Sequence, residues 1–201
     1  MSKVKIQGNS SGTGTFTISA PNSNTDRSLT LPDGAGEIIT SSTIGSNMPS
    51  GSIIQVVNSD NSYETSTTNT TVDVLSSSGT TWETSITPSS TSSKIIVSAH
   101  IFVKSSYWMA ADVRTRLDIL YKVGSGSYSS LSNNQMYSLY DYGGDGVSFE
   151  YIVPFQYQIS PSTTDAVTFK FTCRSINSGC ATEVNGSGTS GNSTCILYEV
   201  A

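Results

Sequence analysis

The stretch Val167-Thr168-Phe169-Lys170-Phe171-Thr172-Cys173 decides the fold. Val167, Phe169, Phe171 and Cys173 fall on one side of an extended chain, and Thr168, Lys170 and Thr172 on the other. Side chains of a strand alternate between its two faces, so this period predicts a strand with one face in a core. The same period runs upstream through Val147–Tyr157, where Phe149, Tyr151, Val153, Phe155 and Tyr157 alternate with Glu150, Ile152, Pro154 and Gln156. It recurs in Asp112–Val123, with Val113, Leu117 and Ile119 set against Arg114, Arg116 and Asp118. Lys94–Val103 is a long β-branched run, which predicts a central strand.

Working outward, shorter strands are expected at Ser52–Asn58, Thr71–Leu75, Trp82–Thr87, Cys180–Val184 and Thr194–Val200. Breaks at Ser77-Ser78-Gly79 and Pro88–Ser93 separate them. About nine strands at such spacing predict an all-β fold, an antiparallel β-sandwich of jelly-roll type. Composition agrees. Charged residues make up 12% of the chain, about half the usual share. Ser, Thr, Gly and Asn take their place, and these compete with a helical backbone for hydrogen bonds. Ten Tyr, six Phe and two Trp suffice for one modest core.

Residues 1–45 read differently. Very short alternating strands are expected at Lys3–Gln7, at Thr15–Ser19 with Phe16 and Ile18 on one face, at Ser28–Pro32 with Leu29 and Leu31, and at Glu37–Thr40 with Ile38. So few apolar side chains do not offset the entropy of ordering the segment, and isolated hairpins are marginal. The segment is therefore expected to order only with partners, either as three chains wound about an axis or as an arm laid on a larger particle. Residues 46–51 form a linker, and residues 52–201 form the sandwich domain.

Function is first bounded by what the residues do not supply. A net charge of −5 gives no basic footprint for nucleic acid or an anionic membrane. Met1–Gln7 lacks the apolar core of a secretory signal, and no apolar run approaches a membrane span, so assembly in the cytoplasm is expected. Cys173, Cys180 and Cys195 read first as small buried hydrophobes, with a late Cys173–Cys180 or Cys173–Cys195 disulfide left open. The sequons at Asn9, Asn69, Asn185 and Asn192 read as ordinary loop residues. His100, the single histidine, reads as a half-buried strand residue. No nucleophile elbow, phosphate loop or dinucleotide fingerprint occurs, and Cys173 and Cys180 lack zinc-ligand spacing. Asp141 and Asp145 frame a glycine-rich loop that reads as an Asx turn rather than a calcium site. No catalytic residue, metal or cofactor is expected, and the chain is not expected to be an enzyme.

Binding chemistry is expected where aromatics gather near loops. Trp108 lies in Tyr107-Trp108-Met109, between two strands. Tyr137, Tyr140, Asp141 and Tyr142 lie in the stretch Gln135–Tyr142, which runs into glycines. An aromatic ring stacks on the apolar side of a pyranose while carboxylates and amides take its hydroxyls, so these residues are candidate contacts for a glycan. The competing reading is core or subunit packing.

Three stretches carry a resemblance. Phe16–Pro21 with Asn24–Gly36 follows the pattern of an apolar strand, Ala-Pro, then Asn, Arg and Leu-x-Leu-Pro-Asp before a final Gly. Pro49–Val56, with Ile86–Ile95 later, forms the second, and Gly191–Val200 closes the chain. These resemble tail-fibre-like virion proteins of tailed bacteriophages, especially marine and cyanobacterial phages. The resemblance implies a non-enzymatic homotrimer displayed on the virion and contacting other virion proteins of tail or capsid. The N-terminus would be the attachment end, so Phe16, Ile18, Leu29, Leu31 and Ile38 would serve trimerisation and virion attachment. The sandwich would face outward toward a host-surface glycan. The chain is short for an adsorption fibre, which keeps a capsid decoration or head-fibre protein as the alternative.

Overall fold

In this computed structural model the described residues are 7–8, 10–15, 17–19, 21–26, 28, 30, 34, 48–68, 70–107, 113–131, 136–139, 148–176, 180–186 and 191–201. The chain divides into two compact units, Met1–Ile38 and Ile39–Ala201.

The second unit holds twelve strands. They are β1 (Ile53–Asn61), β2 (Thr65–Thr67), β3 (Val72–Asp73), β4 (Glu83–Ile86), β5 (Lys94–Tyr107), β6 (Val113–Val123), β7 (Ser129–Ser130), β8 (Met136–Leu139), β9 (Ser148–Ile159), β10 (Val167–Ser175), β11 (Cys180–Val184) and β12 (Ser193–Val200). All pair antiparallel in two sheets. In the first, β5 is central. β9 runs along one side of it from Ile95 to Ser106, and β12 and then β11 occupy the other. β1 lies outside β12, and β2 outside β11. In the second sheet β10 is central, with β6 on one side and β4 then β3 on the other. β7 and β8 continue that sheet beyond β6.

The alternation predicted from sequence is what closes the sandwich. Val167, Phe169, Phe171 and Cys173 of β10 are buried and face Ile95, Val97, Ile101 and Val153 of the other sheet in one core. Phe171 stacks on Trp82 at 5.0 Å between ring centroids and meets Phe155 at 6.1 Å. Offset and tilted rings at such distances add to the stabilisation from burial alone. The Trp82 indole N–H donates to Ser59 Oγ at 3.1 Å, so this large ring is buried without an orphaned donor.

The nine expected strands are all present, shifted at their ends by a few residues. β5 runs four residues past Val103, to Tyr107. β2, β7 and β8 are the additions, and each is too short to show a period, β2 and β7 being polar as well. Cys173, Cys180 and Cys195 are buried and in no disulfide, as inward side chains of β10, β11 and β12. Burial pushes the thiols of Cys173 and Cys195 up to about 12, with nearby Asp73 adding to the shift at Cys173. His100 sits on the outer face of β5 and is exposed rather than half-buried, because the inward positions fall to Ala99 and Ile101.

In the first unit the described residues among the expected strands, including Thr17, Ile18, Ser19, Ser28 and Thr30, are not in strands. Ile18 is 75% exposed. Phe16, Leu29, Leu31 and Ile38 lie outside the described residues. No helix among the described residues is long and apolar enough to cross a membrane.

Candidate functional site

Of the residues expected to bind glycan, Trp108, Tyr140, Asp141 and Tyr142 lie outside the described residues, as do Asp145 and its loop. Tyr137 lies in β8, where its backbone pairs with Thr115. The described strand ends that flank these stretches meet at one end of the sandwich. Ser106 pairs with Ser148, Tyr107 with Cys180, and Val113 with Leu139. Toward that end the interior turns polar. Ser105, Thr115 and Thr182 are buried, and their hydroxyls hydrogen-bond in series, with Tyr151 Oη joining at 3.1 Å from Ser105.

The opposite end of the sandwich is closed by a buried carboxylate. Glu199 occupies an inward position of β12 and is 0% exposed. Its Oε1 accepts from the Ser89 amide at 2.6 Å, Ser89 Oγ at 2.6 Å and Ser93 Oγ at 2.7 Å. With its amide nitrogen turned inward, Gln55 donates to Oε2 at 3.3 Å and to the Thr87 carbonyl at 3.2 Å. Residues 51–52 and 201 exchange backbone hydrogen bonds beside it: Gly51 N–H to the Ala201 carbonyl, and Ala201 N–H to the Ser52 carbonyl, both at 3.0 Å. A buried charge is tolerated only when donors replace its hydration, and this one has them from two separate segments.

At the lateral edge, where β2 of the first sheet meets β3 of the second, lies an open cleft of about 630 Å³. Tyr63 forms one wall with a ring that leaves the residue 40% exposed. Half-buried Val72 and Leu75 give it apolar surface, and Glu64, Asp73 and Thr81 give it polar surface. The loop carrying Tyr63 is clamped by two buried asparagines. Asn61 Oδ1 accepts from the Tyr63 N–H at 3.1 Å while Asn61 Nδ2 donates to the Leu75 carbonyl at 2.8 Å. Asn185 Nδ2 donates to the Tyr63 carbonyl at 3.2 Å, and Asn185 Oδ1 accepts from Ser193 N–H and Oγ. Asn185 holds φ +54, a left-handed conformation that asparagine tolerates better than most residues. Thr65 Oγ1 accepts from the Leu75 N–H at 2.8 Å. Across the cleft, Lys170 Nζ donates to both oxygens of Asp73 at 2.8 Å and Thr81 Oγ1 donates to Oδ2 at 3.1 Å.

Sequence reasoning missed this cleft. Tyr63 stands alone in Asn61-Ser62-Tyr63-Glu64, without the neighbouring rings that drew attention to Tyr137–Tyr142. Asn185 read as a loop sequon, whereas its amide is buried and consumed in holding the chain. The signal that was present is an aromatic between amide and acid in a short interstrand loop.

Outside the cleft, the second sheet carries a polar outer surface. Tyr128 Oη donates to Glu83 at 2.6 Å, and Lys122 and Lys170 lie over its ring at 4.7 and 4.4 Å from the centroid. Burial first, then the Glu83 carboxylate, raise the Tyr128 hydroxyl well above its ordinary value. The outer surface of the first sheet is mixed: Ile53, Val56 and Ile152 are each more than half exposed, but His100, Glu150 and Gln156 are exposed on the same sheet. Among the described residues no group of three or more His, Cys, Asp or Glu side chains gathers as a metal ligand set.

No protein-family model matches the sequence, and no curated protein matches it at a significant level. Among solved structures the chain is similar to a mutant VP2 protein of infectious bursal disease virus in derived T=1 particles, at 13% identity and TM-score 0.33, over 73% of this chain and 36% of that one. It is also similar to the chain in the T13 particle of the same virus, at 11% identity and TM-score 0.35, over 75% of this chain and 36% of that one. A VP2 subviral particle gives 13% identity and TM-score 0.34. The chain thus spans little more than a third of the length of these proteins, and at such TM-scores the likeness carries no weight for family or function.

Proposed function

We propose that the chain is a non-enzymatic structural protein of a virus particle, trimeric, displayed as a fibre or spike, with its sandwich domain turned toward a glycan of the host surface. One observation carries this reading. The stretches of the sandwich that resemble tail-fibre-like virion proteins are far apart in sequence, yet they meet at one place. Pro49–Val56 brings Gln55, Ile86–Ile95 brings Ser89 and Ser93, and Gly191–Val200 brings Glu199, and these side chains hydrogen-bond around the buried Glu199 carboxylate at one end of the sandwich. Chance matches among Ser- and Thr-rich turns have no reason to converge on a single carboxylate. This convergence supports reading the resemblance as one of an interlocked folded unit, and with it a virion role.

A second reading has its own observation. Ile53 and Val56, exposed near one another on the edge strand β1, offer apolar surface that suits docking onto a protein shell. A capsid decoration or head-fibre protein would use it so, and would raise the heat resistance of the particle by binding the native shell.

Gold labelling of intact particles with an antibody against residues 52–201 separates the two. Label confined to the tail supports the fibre, label over the head supports decoration, and particles that bear none would sink both. Light scattering on the full-length chain at micromolar concentration should return the mass of a trimer, and a monomer would remove the trimeric element.

A further inference from the structure

We infer that the edge cleft walled by Tyr63 is a binding site for a neutral pyranose. The argument begins with the ring. Exposed tyrosines are common, but this one is held on both sides of its own peptide. Its N–H is taken by Asn61 and its carbonyl by Asn185, and both asparagines are buried and tied to other strands, Asn61 to Leu75 and Asn185 to Ser193. Two buried amides from opposite ends of the domain's sequence keep one exposed aromatic loop in place. Ordering a contact surface before the ligand arrives removes an entropic cost of binding.

The cleft's chemistry then selects the ligand. A pyranose has one face of C–H groups and a rim of hydroxyls. The Tyr63 ring, with Val72 and Leu75, offers apolar surface of the kind the first needs. Glu64, Asp73 and Thr81 offer acceptors and a hydroxyl for the second. Asp73 already receives three hydrogen bonds, from Lys170 and Thr81, so its orientation is set, and its side chain remains 34% exposed. The volume of about 630 Å³ lies within the range of small-molecule sites. The charge bears on the sugar class: Asp73 is paired with Lys170, and Glu64 leaves the cleft net negative, which disfavours sialic acids, uronic acids and phosphorylated sugars against neutral ones.

Only the source of the saccharide, a host surface, rests on the display reading. The binding itself belongs to the purified chain. The test is saturation-transfer NMR on that chain with the methyl pyranosides of glucose, galactose, mannose and N-acetylglucosamine at millimolar concentration. At least one should show transfer to its ring C–H protons. Tyr63→Ala should weaken it by about tenfold and Tyr63→Phe should keep it, since stacking needs the ring and not the hydroxyl. Tyr63 uses only its backbone to hold the loop, so Tyr63→Ala should melt at the wild-type temperature. Should it not, Glu64→Gln on the exposed rim provides the second variant, expected to weaken binding while preserving the fold. Transfer to none of the four probes, transfer unchanged in both variants, or binding of N-acetylneuraminic acid in their place would overturn the inference. Sugar binding by a chain whose antibody marks no particle would sink the display reading and leave the cleft standing. Tail label without sugar binding would do the reverse.

Discussion

Two carboxylates at different places in the sandwich are held by hydrogen bonds from the protein, four to Glu199 and three to Asp73, and they differ in what is left over. Glu199 is 0% exposed and takes its donors from Ser89 and Ser93, with Gln55 covering its second oxygen. Asp73 takes its donors from Lys170 and Thr81 at the rim of an open cleft, with a third of its side chain in solvent. The first is spent wholly on holding three segments together. The second is held in place and still faces outward. Burial, not the number of hydrogen bonds, separates a structural carboxylate from one that can meet a ligand.

The strongest way to break this comparison is at Glu199. Glu199→Ala leaves the buried Ser93 hydroxyl without its acceptor and unties the Ser89 segment, and should cost about 2–3 kcal/mol in chemical denaturation. A loss below about 1 kcal/mol would mean that the end of the sandwich is not a lock. Next comes pH. The Cys173 and Cys195 thiols stay protonated in the folded chain until about 12, against an ordinary value of 9.0. Above about pH 9 the unfolded chain binds fewer protons than the folded one, so stability is full below that pH and falls as pH rises toward 12. The slope is about 1.4 kcal/mol per thiol for each pH unit. Denaturation midpoints from pH 7 to 11 measure this, and a Cys173→Ala, Cys195→Ala double variant should flatten the curve by that amount.

On the cleft side the effects are smaller. Asn61→Ala removes the clamp on the Tyr63 N–H and leaves the Leu75 carbonyl unpaired, and should cost about 1–2 kcal/mol. It should also speed amide hydrogen exchange at Tyr63 more than at β5. Lys170→Met should cost least, about 1 kcal/mol or less, because the Lys170–Asp73 pair is partly solvated. Its thermal shift should shrink further at high salt in the wild type, since screening already weakens the pair there. If Lys170→Met costs as much as Glu199→Ala, the contrast drawn from burial fails.

Much of the fold was legible because a half-buried strand writes its own period. Phe169 and Phe171, or Val153 and Phe155, announce which face is buried by their spacing alone. Thr65–Thr67 and Ser129–Ser130 announce nothing, because they are short, polar and ordered by the strands beside them. The site was much less legible. Clustered aromatics such as Tyr140 and Tyr142 drew the reading toward one stretch, whereas Tyr63 has no aromatic neighbour in sequence. Its partners Asn61 and Asn185 are 124 residues apart, and Thr81 and Asp73 reach the cleft from the other sheet.

By itself, then, the sequence determined the all-β class, the nine principal strands and the inward faces. Local alternation and turn chemistry suffice for these, since each depends on neighbours a few residues away. Only the tertiary structure decided that Glu199 is buried beneath Ser89 and Ser93, that the three cysteines remain thiols, and that Tyr63 stands rigid over a cleft. Each of these depends on which strands lie side by side, and that is settled by packing two whole sheets together.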